Sequence, residues 1–361
     1  MDYMLDAIDM ARSALGRVSP NPAVGAVLVK DCIVVGRGCT QPPGSDHAEK
    51  VALKQAGTQG SGATMYVTLE PCCHFGRTPP CTTAIIAAKV AQVHMAMLDP
   101  NPVVSGKGRA ELEAAGIKTY VGEHSEVAER IIEAYIKHIT TKRPFVTAKY
   151  AMSLDGKIAT KSGDSKWISG EASRQQVQHM RYEADAVMVG VGTVLADNPR
   201  LSLRTGGDEV RDSKLRVIVD TRGRTPADAQ LFREPGRVLI ATTDSIDSDR
   251  ERQYRELGAE VLKLPHRDGM VDLDALMGAL GTMNITSIIA EGGGTMLGSL
   301  FDQGLVDKVA VFIAPKIIGG TESQTPVAGG GIMQMEDVLQ LHNINIETFA
   351  HDLLITGYIK E

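Results

Sequence analysis

The sequence predicts a two-domain α/β protein, and three observations carry that reading. Segments of helical and strand periodicity alternate along most of the chain, and glycine is plentiful. A polar stretch closed by proline, Thr140-Thr141-Lys142-Arg143-Pro144, interrupts the alternation. At 361 residues the chain exceeds a typical single domain, so this break is taken as the boundary between 1–142 and 143–361.

In the first part, Met4, Leu5, Ile8, Ala11 and Leu15 recur at helical spacing. Ser19-Pro20-Asn21-Pro22 then breaks the chain before a strand-like run from Val24 to Val29, which Lys30-Asp31 joins to a second run, Ile33 to Val35, as a hairpin. Helices are expected near 47–56, 81–89, 107–115 and 125–140, with strands near 64–69, 92–98 and 117–121. In the second part, strands are expected near 145–151, 186–190, 215–219, 237–241, 260–263, 286–290 and 307–313. An antiparallel pair within 339–359 closes the series.

A net charge of −6 gives no general attraction to nucleic acid. Asp2, Asp6 and Asp9 make the first helix acidic, unlike a signal peptide, and no apolar run reaches membrane-spanning length. Five cysteines, an odd number, point to reduced thiols in a cytoplasmic setting.

Chemistry concentrates at His47-Ala48-Glu49, Glu70-Pro71-Cys72 and Cys81. One imidazole and two thiolates suit Zn²⁺, and three protein ligands leave a fourth tetrahedral position for water. Glu49 is placed to shuttle protons for that water. Residues two apart on a regular helix point about 200° apart, so His47 and Glu49 share a cavity only at a helix N-terminus. Gly44-Ser45-Asp46 supplies capping-type residues there, and Thr78-Pro79-Pro80 sets Cys81 at another N-terminus, which favours a thiolate. H-x-E followed by P-C-x-x-C is a known zinc deaminase signature, although here eight residues separate the cysteines. A structural zinc site would need a fourth ligand from Cys73 or His74 and would leave Glu49 without a purpose. Cys73 is the alternative to Cys72, but the Pro-Cys pairing favours Cys72. Cys32 and Cys39 are read as packing residues.

In the second part, polar groups and glycines crowd the ends of expected strands at 148–156, 163–168 and 190–204. Ser287-Ile288-Ile289-Ala290 leads into Glu291-Gly292-Gly293-Gly294-Thr295, a glycine turn at a helix start able to approach a phosphate. A dinucleotide fingerprint fails, because Leu297 and Leu195 stand where the third glycine is required.

The stretches 19–25, 47–49, 70–81 and Asp99-Pro100-Asn101-Pro102 closely resemble the deaminase half of the bifunctional riboflavin-biosynthesis deaminase/reductase family. The long insert ending in Gly76-Arg77-Thr78-Pro79-Pro80-Cys81 is its most specific part. The second part resembles the family's reductase half. The resemblance implies a cytidine-deaminase-like α/β/α domain followed by a dihydrofolate-reductase-like domain, with Zn²⁺ and NADPH as cofactors. It further implies deamination of 2,5-diamino-6-ribosylamino-4(3H)-pyrimidinone 5′-phosphate at its 2-amino group, then hydride transfer to C1′ to give a ribityl group. By motif position, Asn21, His74, Arg77, Thr78, Asp99 and Asn101 would line the deaminase pocket, with Arg77 and Thr78 toward the phosphate. Ser165, Arg181, Leu201, Arg204 and Glu291 would meet the reductase substrate. Ala151, Trp167, Thr193, Asp197, Thr221, Gly292, Gly293, Gly294 and Thr295 would meet NADPH, with Arg222 and Arg224 candidates for its 2′-phosphate. Lys149 and Asp197 are expected nearest the reacting sugar carbon. A homodimer or homotetramer is expected from the same resemblance.

Two departures from the family pattern stand out. Lys50 and Val51 follow Glu49 where the family writes Val-His, and Thr40 replaces a common His. The competing readings are a different nucleobase or nucleotide deaminase with an unrelated appended domain, and a non-enzymatic zinc-stabilised binding module.

Overall fold

The computed structural model describes residues 2–76, 79–203 and 214–359. It divides into two units, Met1–Lys142 and Arg143–Glu361.

The first unit is a five-stranded sheet between two layers of helices. It runs α1 (Tyr3–Arg12), β1 (Gly25–Lys30), β2 (Ile33–Cys39), α2 (Ala48–Ala56), β3 (Thr64–Val67), α3 (Cys81–Ala87), β4 (Gln92–Met95), α4 (Lys107–Ala114), β5 (Lys118–Val121), α5 (Ser125–Ile131) and α6 (Glu133–Thr141). Strand order is β2-β1-β3-β4-β5, with β1 antiparallel to both neighbours and β3, β4 and β5 parallel. Alternate residues of β1 serve opposite cores. Ala26 and Leu28 pack with Ala48, Ala52 and Ile85 on one face, while Val27 and Val29 pack with Met4, Ala7 and Ile8 on the other. Helix α2 lies almost in backbone contact with β2: a Cβ at Gly38 would sit 2.3 Å from the Ala48 carbonyl oxygen. That close approach sets the depth at which α2 carries its N-terminal residues.

Two expectations need correction in this unit. The helix expected over 125–140 is broken at Ile132, whose φ of −110° and ψ of 20° separate α5 from α6. Cys32 does not pack: it is exposed in the β1–β2 turn at φ 61°, while Cys39 is half-buried at the end of β2.

The second unit is a nine-stranded sheet in the order β10-β9-β8-β7-β13-β6-β14-β16-β15. Its elements are β6 (Phe145–Ser153), α7 (Glu171–Glu183), β7 (Ala186–Gly190), α8 (Val191–Asp197), β8 (Leu215–Val219), β9 (Val238–Thr242), α9 (Ser248–Glu256), β10 (Glu260–Lys263), a short pair β11 (His266–Arg267) and β12 (Met270–Val271), α10 (Leu273–Thr282), β13 (Ser287–Glu291), α11 (Gly294–Asp302), β14 (Lys308–Ala314), β15 (His342–Phe349) and β16 (Asp352–Tyr358). From β10 to β14 the pairing is parallel, and β16 and β15 close the sheet antiparallel. The near-continuous apolar character of β7, β8 and β9 follows from burial on both faces, against α10 and α11 on one side and α9 on the other. The parallel order gathers the C-terminal ends of β6, β7 and β13 at one edge, where ligands of such sheets bind.

Candidate functional site

In the first unit, His47 occupies the N-cap position of α2 and Cys81 the first turn of α3. Cys72 lies in the segment after β3, tied to α3 by the Cys81 backbone N–H, which donates to the Cys72 carbonyl at 3.0 Å. The three donor atoms converge. His47 Nδ1 is 3.4 Å from Cys81 Sγ and 3.6 Å from Cys72 Sγ. Two donors of a tetrahedral zinc, at the usual Zn–N and Zn–S lengths, stand about 3.5 Å apart. The set therefore fits zinc in both donor type and spacing. Among the described residues, His47, Cys72 and Cys81 form the one such cluster.

The two thiols of this cluster titrate as an unequal pair, and the thiolate expected at Cys81 from its helix N-terminus is disfavoured by Cys72. Hydrogen bonding from the Cys81 thiol, followed by His47, outweighs burial and brings the Cys72 pKa down to about 4, while Cys72 pushes Cys81 up. The hydrogen bond to Cys72 raises His47. Glu49 is 3 % exposed, and burial, then the charge of Cys72, pushes its carboxyl up. A divalent cation held by this set would deprotonate its coordinating thiols outright. The capping expectation for Asp46 does not hold, since its carboxylate pairs with Lys54 instead.

Around the cluster, Asp99 is buried, and its Oδ1 accepts from Asn101 N–H at 2.9 Å and from Tyr135 O–H at 3.0 Å. His74 is half-buried with its Nδ1 facing no protein partner. Asn21 is half-buried in the turn after Pro20. Arg77 and Thr78 lie outside the described residues. Thr40 bonds locally, its hydroxyl accepting from Val24 N–H at 3.0 Å. Lys50 donates to the Pro79 carbonyl at 2.6 Å and so contacts the intercysteine segment. Tyr135 was not singled out from sequence, and Glu70 was named only within the Glu70-Pro71-Cys72 run with no role of its own, because their partners lie 29 to 39 residues away.

In the second unit, the adjacent strands β6 and β13 place Lys149 directly beside Glu291. Arg181, from α7, grips the same carboxylate at two points, 2.6 and 2.9 Å, while Lys149 Nζ stands 3.8 Å away. Burial opposes charge on all three. The close pair overcomes it, so Arg181 shifts up and Glu291 down; the more distant Lys149 does not, and burial lowers its pKa. Also in the second unit, Ser165 O–H donates to Asp197 Oδ1 at 3.0 Å. Thr193 Oγ1 accepts from Gly293 N–H at 3.0 Å. Gly292 sits at φ 146°, and a Cβ there would meet Thr193 Oγ1 at 2.9 Å, so this turn requires glycine. A Cβ at Gly294 would strike the Thr325 carbonyl at 2.5 Å. The glycines thus let the turn pack against Thr193 and the Thr325 backbone, and Thr295 is exposed in the first turn of α11, a helix N-terminus of the kind that receives a nucleotide phosphate.

The remaining residues scatter by environment. Trp167 is 64 % exposed, under the Arg174 guanidinium at 4.6 Å. Leu201 is buried at φ 55°. Ala151 is half-buried on β6, and Thr221 Oγ1 accepts from Val271 N–H at 3.2 Å. Arg204 lies outside the described residues.

Comparison with known proteins decides the family. Residues 144–355 match the RibD C-terminal domain, and residues 1–97 match the cytidine and deoxycytidylate deaminase zinc-binding region. The chain is 42 % identical to the riboflavin biosynthesis protein RibD of Actinobacillus pleuropneumoniae, over 98 % of this chain and 94 % of that protein. This chain belongs to the RibD family. RibD of Aquifex aeolicus is 40 % identical over 98 % of this chain and 97 % of its own. Among solved structures, Acinetobacter baumannii RibD matches with a TM-score of 0.89 at 35 % identity, covering 99 % of this chain and 98 % of that one. The deaminase/reductase from Thermotoga maritima matches with 0.86 at 35 %, covering 99 % and 97 %. As in other RibD proteins, the first unit has the cytidine-deaminase-like fold and the second the dihydrofolate-reductase-like fold, with zinc and NADPH as cofactors. No helix among the described residues is long and apolar enough to cross a membrane.

Proposed function

We propose that the two reactions of this bifunctional riboflavin-biosynthesis enzyme divide at residues 142 and 143, with deamination before the boundary and reduction after it. The substrate of the first is 2,5-diamino-6-ribosylamino-4(3H)-pyrimidinone 5′-phosphate. The observation that carries the reading is the convergence of His47, Cys72 and Cys81 beside the buried Glu49.

His47, Cys72 and Cys81 hold zinc, which supplies the Lewis acidity that makes water nucleophilic near neutral pH. Glu49, with its upward-shifted pKa, takes a proton from the attacking water at a carboxylate oxygen and returns it to the departing amine as ammonia. Asn21, His74, Asp99 and Asn101 orient the pyrimidine, and Arg77 and Thr78 take the phosphate. The unpartnered His74 Nδ1 is available for such a contact.

In the second unit, NADPH supplies the hydride that reduces C1′ of the ribosyl group. The Gly292-Gly293-Gly294-Thr295 turn, Thr193, Ala151, Trp167, Asp197 and Thr221 hold that cofactor, with Arg222 and Arg224 at its 2′-phosphate. Ser165, Arg181, Leu201, Arg204 and Glu291 align the sugar phosphate. Lys149 holds a proton at Nζ for the ring oxygen released as the sugar opens, and Arg181 fixes Glu291 beside it.

The enzyme acts in the cytoplasm as a homodimer or homotetramer. Supporting self-association, β15 is a sheet edge whose Ile344 and Ile346 are exposed. The deciding experiment supplies the diaminopyrimidinone phosphate and follows ammonia release and NADPH oxidation together. Ammonia without NADPH loss would overturn the assignment of the second unit, and release from free nucleotides instead would overturn the substrate.

A further inference from the structure

We propose that Glu70 and Tyr135 are positioning residues for deamination, holding the 99–109 segment, with Asp99 and Asn101, in register with Cys72. This role rests on the reading above that Asp99 and Asn101 contact the substrate. Glu70 is 3 % exposed and lies two residues before Cys72. A buried carboxylate is tolerated only when its lone pairs are met, and here three backbone N–H groups meet them. Oε2 accepts from Asp99 at 3.1 Å and Gly106 at 2.9 Å, and Oε1 accepts from Arg109 at 2.9 Å. The Glu70 N–H itself donates to the Met97 carbonyl at 3.0 Å.

Gly106 and Arg109 belong to the start of α4, whose first N–H groups have no partner within the helix. Contact there is close: a Cβ at Gly108 would stand 2.1 Å from the Pro71 carbonyl oxygen. The far side is fixed by Tyr135 on α6, whose hydroxyl donates to Asp99 Oδ1 at 3.0 Å. One carboxylate thus joins the backbone leading to Cys72 with both ends of the loop that carries Asp99 and Asn101. A misplacement of about 1 Å by a change away from the chemistry can cost about 100-fold.

The test uses the full-length, zinc-loaded enzyme and steady-state deamination of 2,5-diamino-6-ribosylamino-4(3H)-pyrimidinone 5′-phosphate. Glu70→Gln is expected to raise KM by roughly tenfold or more with kcat within about threefold, and Tyr135→Phe to raise it by a smaller factor. Zinc content and NADPH-dependent reduction of the deaminated intermediate stay at parent levels, and amide exchange at Asp99, Gly106 and Arg109 quickens in Glu70→Gln. In an Asp99→Asn background, adding Glu70→Gln costs less than about threefold, because the two act through one contact. Losses that multiply, an unchanged KM, or activity falling only in proportion to zinc content would each overturn the positioning role. An unchanged KM in Asp99→Asn alone sinks the substrate-contact reading, and this role with it. A raised KM there, with both positioning variants at parent values, sinks the positioning role only. If Glu70→Gln does not fold, the KM of Tyr135→Phe decides.

Discussion

Glu291→Gln is the most informative single perturbation of the second unit, because one buried carboxylate holds two buried cations. Its side chain is 11 % exposed, that of Arg181 15 % and that of Lys149 14 %, so water does little to screen them. The substitution keeps the shape but removes the charge. Arg181 loses its two-point partner, and Lys149 loses the one nearby anion that opposes the downward pull of burial. Breaking a buried pair on one side costs about 3–5 kcal/mol. For a unit of this size, that lowers the melting temperature by roughly 6–20 °C. The sign with pH follows from the downward shift of Glu291 from its ordinary 4.5. Its contribution is fully present above that value and is lost as pH falls through the lower folded pKa. The gap between parent and variant melting temperatures should therefore be constant near neutrality and begin to narrow only as pH falls below 4.5. Calorimetry of both proteins from pH 3 to 8 measures this. A variant melting within about 2 °C of the parent at pH 7 would show that the three groups do not form a closed ionic unit.

Glu49→Gln should retain zinc, measured by metal analysis, and lose about 100-fold or more in ammonia release. Near-normal turnover with normal zinc would remove Glu49 from proton transfer. Lys149→Ala or Asp197→Ala should impair NADPH oxidation while sparing ammonia release; equal loss of both activities in a folded variant would contradict two independent sites. Zinc should protect Cys72 and Cys81 from iodoacetamide. After chelation Cys72, with its pKa near 4, should be alkylated first at mildly acidic pH, and peptide mapping that finds Cys81 modified first would refute the assigned order.

Much of the deaminase site was legible in the order of its residues. His47, Glu49, Cys72 and Cys81 are donor and proton-transfer types whose joint occurrence has few other uses, and the breaks before α2 and α3 indicated that they begin helices. Strand periods were equally readable, because burial on one or both faces leaves its mark on every second residue or on all of them. The errors came where local backbone geometry and side-chain pairing departed from the residue-type preference. Asp46 was read as a cap but pairs with Lys54, and 125–140 was read as one helix although the chain turns at Ile132. Cys32 was read as core because it adjoins an apolar strand, yet it occupies the tight turn of the hairpin.

By itself, the sequence determined which chemistries were available, where a polar stretch closed by proline interrupts the chain, and which segments carry helix or strand periodicity. Only the tertiary structure decided which groups face one another. Glu70 clamps N–H groups up to 39 residues away, and Arg181 grips a carboxylate 110 residues away. Hydrogen bonds and charge pairs depend on distances through space of a few ångströms, and separation along the chain does not encode those distances until the sheets bring the strands together.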